Sequence, residues 1–259
     1  MAAPILVFDI ETVPDVAGLR KLWELADTVS DDAVVDLVSQ RRRQATGSDF
    51  LPTHLQRIVA ISCVLRAGAE TLRVWSVGTP EDGERELVKR FFEGVDKYVP
   101  TLVSWNGSSF DLPVLHYRAL FHGVQASAYW DLGEENKEFK WNNYISRWHL
   151  RHTDLMDVLA GYQNRAWAPL NEIAVLCGLP GKLGMDGSQV WPAYKRGELD
   201  AIRNYCETDV ANTYLLYLRF QHMRGAMGPE AYEREVALFK TFLAAQPAPH
   251  WKEFSAAWK

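Results

Sequence analysis

Two acidic residues lie near the start of the chain, at the end of an apolar run. Asp9 is within the stretch Ile5–Ile10, and Glu11 follows two positions later. Because alternate side chains of a β-strand point to the same face, the two carboxylates should lie side by side. Adjacent buried acids repel each other and are costly to remove from water. Their placement makes sense if a hard divalent cation such as Mg²⁺ or Mn²⁺ binds to their oxygens.

Three further residues could contribute to chemistry later in the chain. Asp111 follows an apolar run and the turn Trp105–Phe110, so its carboxylate is expected in the first turn of a helix. The helix dipole favours negative charge at that position. Tyr205 and Asp209 are four residues apart in a helical pattern, which places them on one face, one turn from each other.

Each of these patterns also has a plain structural explanation. Asp9 could be solvated at a strand end, with Glu11 capping a turn. Asp111 could be an ordinary N-cap, and Tyr205 could pack in the core while Asp209 faces water. The Asp-x-Glu pattern also resembles that of aspartyl-nucleophile phosphatases, in which an Asp two residues after the nucleophile serves as acid. The second position here is Glu, and no later strand supplies the Lys or paired acids that this chemistry needs.

Alternating strand and helix signals predict an α/β fold around a mixed sheet. Apolar runs predict strands at 5–10, 57–66, 71–77 and 101–105, and the short connection 67–70 predicts an antiparallel hairpin. Helical periodicity predicts helices at 81–97, 111–122, 155–160, 170–176, 198–224 and 231–245. We predict one domain over 1–259, with a helical insertion at about 14–53. A helical extension at about 225–259 is expected to end in a short tail, 247–259.

Composition argues against several classes of protein. The 259 residues carry a net charge of −5, so bulk positive charge cannot hold a polyanion, and a basic strip or bound cations would be needed. The three cysteines are scattered, which argues against a disulfide framework or a structural zinc site. No apolar stretch approaches the ~18–20 residues that span a bilayer, and no secretory signal begins the chain. We therefore expect a cytoplasmic protein without a membrane partner.

Taken together, the motifs resemble one superfamily of nucleases. Phe-Asp-x-Glu-Thr on the first strand, Asn-x-x-x-Phe-Asp at a helix start and Tyr-x-x-x-Asp on a late helix occur in that order. This order resembles the tyrosine branch of the DEDD 3′–5′ exonucleases, and most closely the proofreading domain of family B DNA polymerases. The stretches 56–62, 152–157 and 180–188 are similar to a stand-alone bacterial family of predicted exonucleases. The resemblance covers about residues 4–220 and implies a ribonuclease H-like fold, a mixed five-stranded sheet flanked by helices.

The resemblance also implies a role for each candidate catalytic residue. Asp9, Glu11, Asp111 and Asp209 would bind two Mg²⁺ or Mn²⁺ ions, and Tyr205 would orient the attacking water. Asp9 would bridge both ions, Glu11 and Asp209 would complete one site, and Asp111 would hold the second ion. Two cations about 3.5–4 Å apart can clamp a phosphodiester during hydrolysis. The product would be a nucleoside 5′-monophosphate released from a 3′ end.

Two further segments could hold the substrate. Residues 139–152 interleave aromatic and basic side chains, a mixture that holds single strands by stacking and charge. The alternative is that Trp141, Tyr144 and Trp148 pack on the sheet. The glycine-rich stretch 181–188 could bring backbone amides to a phosphate, or it could be a flexible turn. We assign substrate contact to Thr12, Asn106, Phe110, Tyr144, Arg147 and Lys182.

These patterns predict a metal-dependent 3′–5′ exonuclease that acts on nucleic-acid 3′ ends. Single-stranded DNA is the expected substrate, with RNA as the alternative. A second hypothesis is a non-catalytic ribonuclease H-like module that binds single strands or a protein partner, since a fold alone does not establish an activity. The chemically competent residues at all five site positions favour the enzyme.

Overall fold

A computed structural model describes residues 3–259 and contains one sheet of five strands. The strands are β1 (Ile5–Pro14), β2 (Gln56–Ala67), β3 (Thr71–Ser76), β4 (Thr101–Ser104) and β5 (His152–Asp154). Their order is β3-β2-β1-β4-β5, with β1 antiparallel to β2 and parallel to β4. The predicted mixed five-stranded sheet is therefore confirmed. Periodicity missed β5 because three residues are too few to show an alternation.

Helices flank the sheet within the described residues. They are α1 (Val16–Leu22), α2 (Asp31–Thr46), α3 (Glu84–Tyr98), α4 (Asp111–His122), α5 (Ser127–Trp130), α6 (Leu155–Leu159), α7 (Leu170–Leu176), α8 (Val190–Lys195), α9 (Leu199–Met223), α10 (Pro229–Ala244) and α11 (Pro249–Ala257). Two helices, α4 and α7, have the bounds that their periodicity predicts. In the part of the chain that the structure describes, no helix is both long and apolar enough to cross a membrane.

The end of the chain differs from its prediction. The short tail expected at 247–259 is wrong, because α11 occupies most of that segment. Its side chains Trp251 and Phe254 are buried in the same hydrophobic cluster as residues of α9 and α10. Pro249 begins this helix, where its fixed φ is compatible with the first turn. Burial of these two aromatic side chains therefore stabilises the short segment as a helix.

Side-chain alternation along β1 decides which layer contains the acids. Even-numbered side chains of the strand pack in one cluster with α3 and α4, whereas Val7 packs with residues of α9. Asp9 and Glu11 have the parity of Val7 and therefore face α9. β1 continues to Pro14, beyond its predicted end, and its register with β2 shifts between Glu11 and Thr12. The two acids thus lie inside the strand rather than at its end.

The segment between β1 and β2 contains α1 and α2 and forms its own small hydrophobic cluster. A buried guanidinium connects this segment to the layer of α3 and α4. Arg118 of α4 donates to Asp15, just before α1, at 2.8 Å and to Glu84 of α3 at 2.5 Å. Because charges this deeply buried need partners, the contact holds the start of the insertion in one position.

Candidate active site

β1 brings two carboxylates next to a thiol of α9. The Cys206 thiol donates to a carboxylate oxygen of Asp9 at 3.5 Å and to its carbonyl oxygen at 3.4 Å. One potential ligand atom from each of Asp9, Glu11 and Cys206 lies within 4.8 Å of the other two. Glu11 is buried, whereas Asp9 is partly exposed. The structure therefore brings the two acids together on the face that strand alternation predicts.

Asp111 lies close to these two acids and contacts the backbone of β1. It is the first residue of α4 and is buried. One of its carboxylate oxygens accepts a hydrogen bond of 3.1 Å from the backbone amide of Ile10. The start of α4 is therefore attached to the strand between the two acids, and the carboxylate is more than an N-cap of its own helix.

α9 contributes Tyr205 and Asp209, both buried on the side of the helix that packs against β1. The Lys182 ammonium lies 3.3 Å from an oxygen of Asp209 and contacts the Tyr205 hydroxyl. The other carboxylate oxygen of Asp209 is buried without a hydrogen-bond partner in the described chain. One lysine therefore faces four carboxylates and compensates only part of their charge.

The five candidate catalytic residues line a single cavity of about 300 Å³. They come from three distant parts of the chain: β1, the start of α4, and α9. Three of the predicted substrate-contacting residues line the same cavity, namely Asn106, Phe110 and Lys182. The cavity thus contains every acid that the sequence motifs single out.

The protonation of these groups follows from their burial. Burial, reinforced by the neighbouring carboxylates, raises the pKa of Asp9 and of Glu11 well above the usual range. Burial also raises the pKa of Asp111 to about 7. The Tyr205 pKa is raised by burial and then by Asp209, so its phenol stays protonated at neutral pH. Burial opposes the charge of Lys182, yet the surrounding carboxylates hold its pKa above the ordinary value.

The donor atoms of this cavity fit divalent cations. Four carboxylates share one compensating charge, and an oxygen of Asp209 has no partner within residues 3–259. In the metal-free protein the Cys206 thiol donates to Asp9, and burial raises its pKa. The remaining donors are oxygens, which suit hard cations such as Mg²⁺ and Mn²⁺ better than zinc.

Sequence reasoning missed the place of Cys206 in this site. Its spacing of three residues from Asp209 puts it on the same helix face, and this was the available signal. The same reasoning did not identify Asp154 as the residue that shapes the turn before α4. The Asp154 carboxylate accepts from the backbone amides of Asn106 and Ser108, each at 2.9 Å.

Three residues predicted to contact substrate, Asn106, Phe110 and Thr12, differ in their position relative to the acidic cavity. Asn106 has a left-handed backbone, with φ of 68°, and its buried side-chain oxygen has no partner in the region described. Phe110 lies in the wall of the acidic cavity. Thr12, in contrast, donates to the Gln56 side chain at 3.2 Å and does not line that cavity. Strand alternation along β1 points the Thr12 side chain to the face opposite that of Glu11.

The aromatic and basic segment 139–152 divides into buried and exposed residues. Tyr144 is 2% exposed, and its hydroxyl donates to the Pro100 carbonyl oxygen at 2.6 Å. Its predicted contact with substrate is therefore wrong, because the ring is packed inside the protein. Trp141 and Trp148 are 82% and 71% exposed, so the alternative of packing on the sheet is wrong for these two residues, whereas it holds for Tyr144, which lies in the cluster that contains residues of β1 and β2.

Arg147 has a structural contact that its sequence position did not reveal. Its guanidinium donates twice to the Asp157 carboxylate, at 2.8 and 2.6 Å. We expect Arg147→Ala to lower the free energy of unfolding by about 1–2 kcal/mol, because the buried Asp157 loses its partner. The cost stays below that of a fully buried pair, since the Arg147 side chain is 46% exposed.

Thermal unfolding measures this effect. A loss of about 2–6 °C in Tm is expected for a chain of this size. Arg165→Ala is the matched control, because Arg165 is exposed and contacts only the neighbouring Gln163 side chain. Equal melting temperatures for the two variants would contradict the prediction.

Comparison with known proteins identifies the family of this chain. Residues 48–258 match the model of a family described as predicted 3′–5′ exonucleases related to the exonuclease domain of PolB. The matched part begins after Asp9 and Glu11, so the positions of these two acids rest on the geometry described above. The chain also resembles the catalytic subunit of DNA polymerase epsilon from Aspergillus fumigatus, with 27% identity over 228 residues. The corresponding protein from Saccharomyces cerevisiae is 26% identical over 150 residues.

These relatives are much longer than the chain. The similar region covers 84% of this chain and 9% of the Aspergillus fumigatus protein, and 55% and 6% for Saccharomyces cerevisiae. Among solved structures, a family B DNA polymerase from the archaeon Pyrobaculum calidifontis matches 86% of this chain and 25% of its own. The TM-score is 0.50 at 16% identity. This match and the mixed sheet show a ribonuclease H-like fold. Because the family model matches most of its length, the chain belongs to the family of predicted 3′–5′ exonucleases related to the exonuclease domain of PolB.

Proposed function

We propose that this protein is a metal-dependent 3′–5′ exonuclease that hydrolyses phosphodiester bonds at the 3′ ends of single-stranded nucleic acid. The supporting observation is that four carboxylates and a protonated phenol from three distant parts of the chain line one cavity. The polymerase relatives act on nucleic acid, which supports the choice of substrate. We place this activity in the cytoplasm, a reducing compartment that suits three free cysteines.

In this proposal, Asp9, Glu11, Asp111 and Asp209 would hold two Mg²⁺ or Mn²⁺ ions. All four side chains line the same cavity, so each would supply carboxylate oxygens to the cations. When bound, such cations lower the pKa of an attacking water and stabilise negative charge on the leaving oxygen. The four carboxylates are buried close together with too little positive charge to compensate them. Binding of a cation would therefore relieve the repulsion among them.

The other residues of the cavity would bind and orient the reactants. The Tyr205 phenol, held by its contact with Lys182, would orient the water by a hydrogen bond and not by removing its proton. The Lys182 ammonium would attract a substrate phosphate as it enters. The Asn106 side chain would contact the sugar from the cavity wall, and the Phe110 ring would stack on a base.

A labelled single strand tests the proposal. The purified protein with Mg²⁺ or Mn²⁺ should shorten a 5′-labelled strand one nucleotide at a time, and a chelator should stop the reaction. The same metals should raise the melting temperature of the protein, and Asp209→Ala should abolish that rise. No shortening of DNA or RNA with either metal would reject the enzyme. Strand binding without turnover or metal stabilisation would favour the non-catalytic module.

Removing the Tyr205 hydroxyl should separate chemistry from binding. We expect Tyr205→Phe to lower kcat by about 10–100-fold with little change in KM, because the water loses an orienting partner while the ring still packs. Steady-state rates at several concentrations of the labelled strand give both constants. Tyr217→Phe is the matched control, since Tyr217 is buried on the same helix and does not line the cavity. An unchanged kcat in Tyr205→Phe would remove this residue from the mechanism.

A further inference from the structure

The loop after α2 approaches the acidic cavity from the outside. Its Phe50 is 57% exposed, and its ring centroid lies 5.6 Å from that of Phe110 at an interplanar angle of 53°. Phe110 in turn lines the cavity that contains the four carboxylates. A pair of aromatic rings therefore extends from the candidate active site to the insertion between β1 and β2.

A second cavity of about 530 Å³ lies beside this pair of rings. Its walls come from the insertion, including Arg42 and Phe50, and from the segment that leads into α4. It shares Asn106, Phe110, Met156 and Pro169 with the acidic cavity, so the two cavities adjoin each other. A chain molecule whose end reaches the acids could extend into the second space without leaving the protein surface.

The two cavities differ in charge. No acidic residue lines the second one, and Arg42 supplies a guanidinium. The Arg42 Nε donates to the Phe50 carbonyl oxygen at 2.5 Å. This hydrogen bond joins the guanidinium to the residue that carries the exposed ring. Within residues 3–259 Arg42 forms no salt bridge, unlike its neighbour Arg43, which pairs with Asp49. A guanidinium that has no carboxylate partner among the described residues and lies beside an exposed ring suits a phosphate joined to a base.

We propose that Phe50 and Arg42 form a second nucleotide subsite for a single-stranded polynucleotide. Phe50 stacks on a base upstream of the 3′ end, and Arg42 binds a phosphate of the same strand. The insertion is thereby part of the substrate-binding surface, and substrates of several nucleotides bind more tightly than a mononucleotide. This inference rests on the proposed function in that it takes the acidic cavity as the place of the 3′ end.

Strand binding without hydrolysis tests the subsite directly. The probe is a 5′-fluorescein single-stranded dodecamer, with Ca²⁺ in place of Mg²⁺, and a denaturing gel verifies its length after each fluorescence anisotropy titration. Phe50→Ala should weaken binding about 5- to 20-fold, because stacking on one base contributes a large part of the affinity for a strand. Phe50→Trp should restore it, and Arg42→Gln should reduce the dependence of affinity on salt concentration.

Two controls separate stacking from a structural effect. Leu22→Ala removes an equally exposed apolar side chain, 61% exposed, from the same insertion and should bind as the wild-type protein does. Melting temperatures of all variants should agree. Wild-type affinity in Phe50→Ala, or an equal loss in Leu22→Ala, would overturn the subsite.

A small substrate distinguishes failure of the subsite from failure of the proposed function. The p-nitrophenyl ester of thymidine 5′-monophosphate has no upstream nucleotide, so Phe50→Ala should hydrolyse it with Mg²⁺ at the wild-type rate. A wild-type protein that cleaves neither this ester nor the strand would refute the exonuclease, and the anisotropy titration would still decide the subsite. An active wild-type protein whose Phe50→Ala variant loses the ester and the strand equally would refute the subsite alone.

Discussion

Asp9→Asn is expected to lower kcat for strand hydrolysis by at least about a thousandfold and, at the same time, to stabilise the metal-free protein. Asp9 is proposed to bind the cations, so its loss removes charge that holds them. The same carboxylate lies beside Glu11 and Cys206, and burial raises its pKa. In the absence of metal, a neutral amide of similar size removes the charge repulsion between residue 9 and Glu11. Such a gain in stability at the expense of activity is common for substitutions in active sites.

Two measurements on one variant check this result. Strand shortening with Mg²⁺ gives kcat, and thermal unfolding in the presence of a chelator gives Tm. Asp36→Asn is the matched control, because Asp36 is exposed on α2 and distant in sequence from the candidate site. An active Asp9→Asn variant would remove Asp9 from the proposed mechanism. An inactive variant with a lowered Tm would indicate a defect of folding instead.

The carboxylates of the candidate site are expected to destabilise the metal-free protein as pH rises from about 4 to about 7, opposite to the contribution of His116 and His152, whose pKa burial lowers to about 4. Burial raises the pKa of Asp9, Glu11, Asp111 and Asp209 in the folded state, so this state binds protons more tightly than the unfolded chain. Such a group stabilises the fold below its usual pKa, and the contribution disappears as pH rises through the folded-state pKa. For Asp111, whose folded pKa is about 7, the change is on the order of 4 kcal/mol.

Bound Mg²⁺ should remove most of this pH dependence, because a cation stabilises the ionised carboxylates that are otherwise buried without compensation. Thermal or urea unfolding at several pH values, with chelator and with Mg²⁺, measures the two curves. The Lys182 pKa is also raised, but its contribution is lost only above pH 10, outside this range. The control is Asp111→Asn, whose metal-free curve should be flatter. Parallel curves with and without Mg²⁺ would contradict the linkage.

Local periodicity was enough to predict the elements that carry the site. The alternation in Ile5–Ile10 places Asp9 and Glu11 on one face, and the four-residue spacing of Tyr205 and Asp209 places them one turn apart. Both statements depend only on the geometry of a single strand or helix. The start of α4 at Asp111 is equally local, since the turn before it and the apolar period after it lie within a few residues.

Contacts between distant segments could not be predicted in this way. Tyr144 is in a segment rich in aromatic and basic residues that resembles a nucleic-acid surface, yet its hydroxyl reaches Pro100, 44 residues away. Arg147 has the same local pattern but pairs with the buried Asp157. A basic or aromatic residue has the same sequence signature on a substrate-binding surface and in a structural contact, so only the tertiary contacts distinguish the two.

Sequence patterns were sufficient to predict the strand and helix that carry the acids, their shared faces, and the family resemblance of the ordered motifs. Three contacts became evident only from the folded chain: Lys182 contacts Asp209, the Cys206 thiol donates to Asp9, and Phe50 packs against Phe110. The reason is physical: periodicity describes neighbours along one element, whereas these pairs are 27, 197 and 60 residues apart and meet only when the layers pack on the sheet.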